Sequence, residues 1–281
     1  MIIKSLEQTP LADIASAINT AFADYVIPFQ ITEEQLKCKM TSEDVDISLS
    51  FGVFEEDKMV AIMLHGVRVR GGIKVVYNAA TGVSPKFRRR GLIGKMYKAL
   101  NQKLAEIKTQ EMVLEVIENN LPAISVYKKE GYTVARRLVC YQGLLHDNLQ
   151  KNESVKIERL DAYDVHVLKS FGDVNPSWQN EWQSVDNAPE QHQVFGAYLQ
   201  DQLVGHIVFN PEKRRVIQIA VDIAYRRMGV GRSLLMKMSE EIKSKQIFVY
   251  NIDEEALSCI LFFKKFGLEP KVAQYEMRKD V

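Results

Sequence analysis

Two segments of this chain recur in the same order at nearly the same separation, and that duplication limits the architecture before any single element is assigned. Val83-Ser84-Pro85-Lys86-Phe87-Arg88-Arg89-Arg90-Gly91-Leu92-Ile93-Gly94 has a counterpart in Val221-Asp222-Ile223-Ala224-Tyr225-Arg226-Arg227-Met228-Gly229-Val230-Gly231-Arg232, 138 residues on. Val126-Tyr127-Lys128-Lys129-Glu130-Gly131-Tyr132 is echoed 136 residues on by Phe262-Phe263-Lys264-Lys265-Phe266-Gly267-Leu268. The chain therefore reads as a tandem duplication. Its 281 residues agree, since about 100–200 residues is the usual span of one domain. Domains are expected over residues 1–145 and 154–281, with the polar stretch 146–153 as linker.

The halves also share a series of elements. Each begins with a strand, Met1 to Leu6 or Val155 to Leu160, and helical stretches such as Leu11 to Phe22 follow. Alternating or β-branched runs then predict strands at Ser48 to Phe54, Met59 to Val69 and Val75 to Gly82, and at Val194 to Leu199, Val204 to Phe209 and Val216 to Val221. Apolar residues at helical spacing come next: Leu92, Met96, Leu100 and Leu104 in one half, Val230, Leu234, Met238 and Ile242 in the other. A strand, a further helix and a terminal hairpin close each half. The fold class is α/β (α+β), with a mixed sheet and flanking helices in each half.

Composition narrows the functions. With 37 Lys+Arg against 36 Asp+Glu the chain has no overall field to draw it onto nucleic acid or an acidic membrane, so neither is an expected partner. No window approaches the ~18 apolar residues of a membrane span, and the N-terminus lacks a signal-peptide pattern. A cytoplasmic location is the expectation. Cys38, Cys140 and Cys259 are odd in number and far apart, which fits reduced thiols better than a disulfide framework. His65, His146, His166, His192 and His206 show no metal-ligand spacing, and no metal is expected.

The repeated segment has a physical reading of its own. A strand ends, basic residues pass, a glycine turns the chain and a helix begins, so unpaired backbone N–H groups converge at a helix N-terminus and form an anion cradle. A Cβ at the glycine would hold a diphosphate away from those amides, while Arg88, Arg89 and Arg90, or Arg226 and Arg227, add positive charge. A solvated basic face and a nucleic-acid contact are the competing readings. The second copy, Arg226-Arg227-Met228-Gly229-Val230-Gly231, resembles the Q/R-x-x-G-x-G/A signature of the GNAT acetyltransferase superfamily, and both halves continue as that family does.

The resemblance implies two tandem GNAT folds, each a mixed, mostly antiparallel twisted sheet, and acetyl-CoA as acyl donor. In that family the backbone amides bind pyrophosphate and the pantetheine arm lies where the fourth and fifth strands splay. The residues so implicated are Val83, Arg88, Arg89, Arg90, Gly91, Leu92, Ile93 and Gly94 in the first half. In the second they are Val221, Arg226, Arg227, Gly229, Val230, Gly231 and Arg232. Ile93 departs from the signature, as in acetyltransferases of the enhanced-intracellular-survival type, and side-chain direction at a helix start permits it if Ile93 points into the core.

Amine attack on a thioester needs a neutral amine and releases a thiolate that gains from a proton donor. Many family members use a tyrosine four residues before the glycine of the last motif, a place held by Tyr127 in the first half and by Phe263 in the second. A phenol can give a proton and a phenyl ring cannot. Glu115 and Glu118, on or just after the fifth strand, are candidates for the base, with plain surface carboxylates as the alternative. Asn120 matches a family position that touches the cofactor arm, and Ala256 stands there in the second half. Trp178 and Trp182 fall where the acceptor wall is built, although core packing is the commoner use of such a pair. The resemblance implies an N-acetyltransferase acting on a primary amine of a small molecule or protein, as monomer or homodimer; the alternative is a non-catalytic acyl-CoA-binding or regulatory protein.

Overall fold

The computed structural model describes residues 1–25, 29–146 and 149–281. The chain divides into two compact units: Met1–Ala135 with Tyr275–Val281, and Arg136–Gln274.

The first unit runs β1 (Ile2–Ser5), α1 (Leu11–Ala21), α2 (Glu33–Ser42), β2 (Phe51–Glu55), β3 (Lys58–Arg70), β4 (Ile73–Val83), α3 (Leu92–Glu106), β5 (Glu111–Ile117) and α4 (Leu121–Lys129), after which β6 (Thr133–Leu144) begins. Strands β1 to β4 pair antiparallel in sequence order, and β4 pairs parallel with β5. Gly71 and Gly72 turn the β3–β4 hairpin with φ of 57° and 85°, the left-handed pair a two-residue turn of this hand requires. Helix α1 buries Ile14 and Ile18, part of one stripe of its surface, against Ile62 and Leu64 of the sheet. Helix α2 is mostly polar, which hides it from a search for apolar periodicity. It is set by a capping box in which the Thr32 side chain accepts from Gln35 N and Gln35 accepts from Thr32 N. On the sheet's other face α3 contributes Met96, Tyr97, Leu100 and Leu104 to a core shared with Met112, Leu114 and Val116.

The second unit repeats the plan with β7 (Lys156–Arg159), α5 (Val165–Ser170), α6 (Trp182–Asp186), β8 (Gln193–Leu199), β9 (Gln202–Asn210), β10 (Arg215–Val221), α7 (Val230–Glu241), β11 (Gln246–Asp253), α8 (Leu257–Lys265) and β12 (Leu268–Asp280). Here β7 to β10 pair antiparallel and β10 pairs parallel with β11. One detail aligns the copies. Ala79 is the extra residue of a β-bulge between β4 and β3, and Ile217, 138 residues on, is the extra residue between β10 and β9. Each unit is a mixed, mostly antiparallel sheet with flanking helices, the expected class.

The units do not follow the expected spans 1–145 and 154–281, and no terminal hairpin forms. After α4 and after α8 the chain enters one long strand, because residues 133–142 and 271–279 contain no Gly, Pro, Asn or Asp on which to turn. Strand β6 passes into the second unit at Arg136 and pairs antiparallel with β11, while β12 gives Tyr275–Val281 to the first unit. Of the expected linker 146–153, residues 147 and 148 lie outside those described. Asn152 is anchored in the second unit, its Nδ2 donating to the Met228 carbonyl at 2.8 Å.

Candidate active site

In the first unit β4 and β5 pair only from Val75–Glu111 to Asn78–Leu114 and then part, leaving Ala79–Val83 and Glu115–Ile117 unpaired with one another. The bulge at Ala79 sits where the parting begins. Beyond Val83 the chain makes a 3₁₀ turn over Pro85–Phe87 and reaches Gly91, in the left-handed region at φ 68°, as N-cap of α3. No side chain caps this helix, so the amides of its first turn await a partner. A Cβ built on Gly91 meets no atom within 4 Å, so the space before these amides is open. The predicted cradle residues thus lie at an uncapped helix N-terminus, a geometry that can receive an anion.

The basic residues divide the work differently from a simple charged ring. Arg88 donates from Nε to the Val83 carbonyl at 3.1 Å, to the Ala21 carbonyl at 3.0 Å, and to both oxygens of Asp24 at 2.7 and 2.6 Å. It ties the loop to the end of α1, and the hydrogen bond from Arg88 holds the Asp24 carboxyl below its ordinary pKa. Arg90 lies over the Phe87 ring, 4.8 Å from its centroid, and Arg89 is exposed with a left-handed φ of 61°. Leu92 is core, Ile93 packs against the core under α3, and Gly94 is half-buried.

Tyr127 projects from α4 and is buried. Desolvation by burial pushes its pKa up to about 12, so the phenol is protonated at pH 7. Asn120 is the N-cap of α4, accepting from Ala123 N at 3.3 Å. Glu115 lies on the opposite face of β5 from Leu114 and Val116, which belong to the core under α3. It accepts from the Tyr77 hydroxyl at 3.1 Å. Burial, reinforced by the buried carboxylates Glu276 and Glu43, raises its pKa to about 7. Glu276 comes from β12 and is held by Arg278 Nε and Nη2 at 3.0 and 2.8 Å.

The second unit repeats the loop with closer neighbours around Gly229. Arg226 donates to the Val221 carbonyl at 3.0 Å and to Asp173 at 2.7 Å, Arg227 has φ 68°, and Gly229 caps α7 at φ 84°. A Cβ on Gly229 would lie 3.4 Å from Asn152 Cβ and 3.2 Å from Arg232 Nη2, and one on Gly231 would lie 2.9 Å from the Phe262 ring. Val230 is core. Strands β10 and β11 part after Val216–Val249, yet Asn180 crosses the opening: its Nδ2 donates to the Tyr250 carbonyl at 2.8 Å, and its carbonyl accepts from Gln218 Nε2 at 2.6 Å. Trp178 and Trp182 do not share a helix, since extended Glu181 separates a 3₁₀ turn from α6, and both are buried. Counting between the helix caps Asn120 and Ala256, Glu115 corresponds to Asn251, and from Gly131 and Gly267, Glu276 corresponds to Cys140. Cys140 Sγ lies 3.5 Å from Asn251 Oδ1, a neutral pair in place of two carboxylates. Among the described residues no cluster of ligating side chains could hold a metal ion.

The sequence reading brought together the cradle, Tyr127 and Glu115. It missed Tyr77 and Glu43, which carry no motif, and Glu276, which reaches the first unit from the far end of the chain.

Comparison with known families agrees with this geometry. A model for FR47-like proteins matches residues 51–141, and that of the Acetyltransferase (GNAT) family matches residues 159–268. The chain is a tandem protein of the GNAT superfamily. Its structure is similar to a GCN5-related N-acetyltransferase from Sphaerobacter thermophilus, at 16% identity over 99% of this chain and 95% of that one, with a TM-score of 0.73. It is similar also to a tandem GNAT protein from the clavulanic acid biosynthesis pathway, at 12% identity over 99% and 98%, TM-score 0.73. These two likenesses concern the fold. A 93-residue stretch is 28% identical to N-alpha-acetyltransferase 30 of Dictyostelium discoideum, covering 33% of this chain and 50% of that relative, about half its length.

Proposed function

We propose that the protein transfers the acetyl group of acetyl-CoA to a primary amine of a small molecule or protein, and that the first unit carries the reaction. The observation that supports this best is the parted β4–β5 pair, with a neutral phenol reaching it from α4 and a carboxyl titrating near neutrality on the adjoining strand. The amides at the start of α3 hold the diphosphate. Glu115, as carboxylate, takes a proton from the ammonium acceptor. The amine nitrogen bonds to the thioester carbon and gives up its second proton to solvent, the C–S bond breaks with its electron pair on sulfur, and Tyr127 gives its proton to the departing thiolate. Solvent resets both groups. For the second unit, with its more crowded Gly229, Phe263 and the Asn251–Cys140 pair, a supporting role fits better than turnover.

Thiol release from acetyl-CoA, measured with a polyamine, an amino sugar and a peptide with a free N-terminus, tests this. Tyr127→Phe should lower kcat on the order of 10²-fold with little change in the KM for acetyl-CoA. A base must be ionised to act, so kcat/KM should rise as pH increases through about 7, and Glu115→Gln should remove that rise. Undiminished turnover in both variants would refute the assignment.

A further inference from the structure

The first unit sets a carboxyl of its own β5 against one from the last strand of the chain. Glu115 stands between Leu114 and Val116, and Glu276 between Tyr275 and Met277, and all four neighbours pack in or against the core under α3. Alternation along a strand therefore turns both carboxyls to the opposite face. Val281 N donates to the Gln110 carbonyl at 3.0 Å, and Arg278 Nη1 lies 3.4 Å from Glu111 Oε1, so β12 runs antiparallel to β5. Continued inward, that register sets Glu276 across from Glu115. Side chains so opposed have Cβ atoms about 4.5–5.5 Å apart, where like charges repel.

The two carboxyls are held differently. Glu276 is 1% exposed, and its Oε1 accepts from Arg278 Nε and Nη2 at 3.0 and 2.8 Å, which holds a negative charge there. Glu115 accepts from the Tyr77 phenol of β4 at 3.1 Å. Carboxyls whose surroundings differ in this way titrate apart, and the one that keeps the charge keeps the proton on the other. Lys39 and Glu43 approach from α2 as an ion pair at 2.6 Å, so the Glu43 charge has a cation beside it. Arg68 and Arg70 alternate onto the same face from β3, Arg68 donating to Asp44 Oδ2 at 2.6 Å. Glu111, Arg278 and the exposed Asp280 lie farther along β5 and β12.

The second unit shows both that these positions meet and that the fold does not need acids there. Glu115 and Glu276 correspond to Asn251 and Cys140, and Tyr77 corresponds to Arg215 at the 138-residue offset. Cys140 Sγ lies 3.5 Å from Asn251 Oδ1 across the equivalent antiparallel ladder, β6 against β11. Two acids withdrawn from water cost free energy that such a neutral pair avoids, so their presence in the first unit calls for a reason other than packing.

We propose that Glu276 is a positioning residue that makes Glu115 a stronger base, its charge, held by Arg278, drawing the proton of the acceptor ammonium onto the facing carboxylate. The step moves one proton from nitrogen to a Glu115 oxygen, and solvent later removes it. This deepens the acetyl-transfer reading and rests on it. Desolvation is the first reason that the Glu115 pKa stands at about 7, and the Glu276 charge is the next.

The test uses the full chain. In protein labelled with 13Cδ-glutamate, the resonance assigned to Glu115 by its loss in Glu115→Gln should titrate with a midpoint of about 7 in wild type and about one pH unit lower in Glu276→Gln. Glu276→Asp, which keeps the charge, should restore most of the difference, and Glu43→Gln should move the midpoint less than Glu276→Gln does. Glu276→Cys, which copies the second unit, gives the same reading should Glu276→Gln fail to fold. In thiol release from acetyl-CoA with spermidine, glucosamine and an N-terminal peptide, Glu276→Gln should shift the rise of kcat/KM down by the same unit and lower its plateau roughly threefold. Added to Glu115→Gln it should cost nothing more, since a residue that acts only through Glu115 loses its effect with it. An unmoved or raised midpoint, a larger shift from Glu43→Gln, or multiplying losses in the double variant each overturn the proposal. If the midpoint falls as predicted but wild-type protein acetylates none of the three amines, the coupling of Glu276 to Glu115 stands and the acetyl-transfer reading is what failed.

Discussion

His65 on β3 and His206 on β9 are both fully buried, the first with Nδ1 3.0 Å from the Leu49 carbonyl, the second between the Trp182 and Phe171 rings. Desolvation lowers each to about 4, so the folded protein holds them neutral where the unfolded chain, near 6.5, begins to take up protons. The stability they give is complete above pH 6.5 and is lost as pH falls towards 4, by roughly 3 kcal/mol per residue once both states are protonated. Glu115 opposes this, since a raised carboxyl pKa favours the folded state as pH falls. The clean measurement is therefore a difference. Relative to wild type, His206→Phe should gain about 2 kcal/mol in urea unfolding between pH 7 and pH 4.5, and a constant difference would contradict the account. Both imidazoles lie within strands and are packed there. Tyr77 and Glu276 were not singled out, because each alone is an ordinary residue; only a position-by-position comparison of the halves exposes them.

Elements show where local patterns stop being informative. The repeated motifs, the apolar stripes of α3 and α7 and the β-branched runs of β3 and β4 place most of each sheet, since each is decided within about a dozen residues. The partner of a strand is not so decided. Nothing within Leu268–Asp280 tells that its last part belongs to the first unit, where Met277 is fully buried among residues of α3 and β5. Met277→Ala should consequently destabilise the first unit by about 2–5 kcal/mol, seen as an early transition in urea unfolding followed through ligand-independent probes of that unit. A change below about 0.5 kcal/mol would show that β12 is peripheral to that core. Helix α2 was likewise hidden: its capping box is legible at Thr32–Gln35, but its polar face offers no periodicity to read.

On the scale of the whole molecule, duplication has left two copies of one fold with different interiors. The first has an open loop at Gly91, a buried hydrogen-bonded chain through Asn78, Tyr97 and Tyr132, and buried carboxylates; the second has Phe262 over Gly231, Asn152 beside Gly229 and apolar residues along the parted strands. The second copy carries the tidier motif in sequence and the less accessible loop in space, because a one-dimensional signature does not record what packs over a glycine. No helix among the described residues is long and apolar enough to cross a membrane. The measurement that bears most directly on the division of labour is acetyl-CoA binding by calorimetry to the intact protein, to Gly91→Asp and to Gly229→Asp. One site per chain, abolished by Gly91→Asp and retained in Gly229→Asp, is the predicted result; binding that survives Gly91→Asp and disappears in Gly229→Asp would place the cofactor in the second unit and contradict the account.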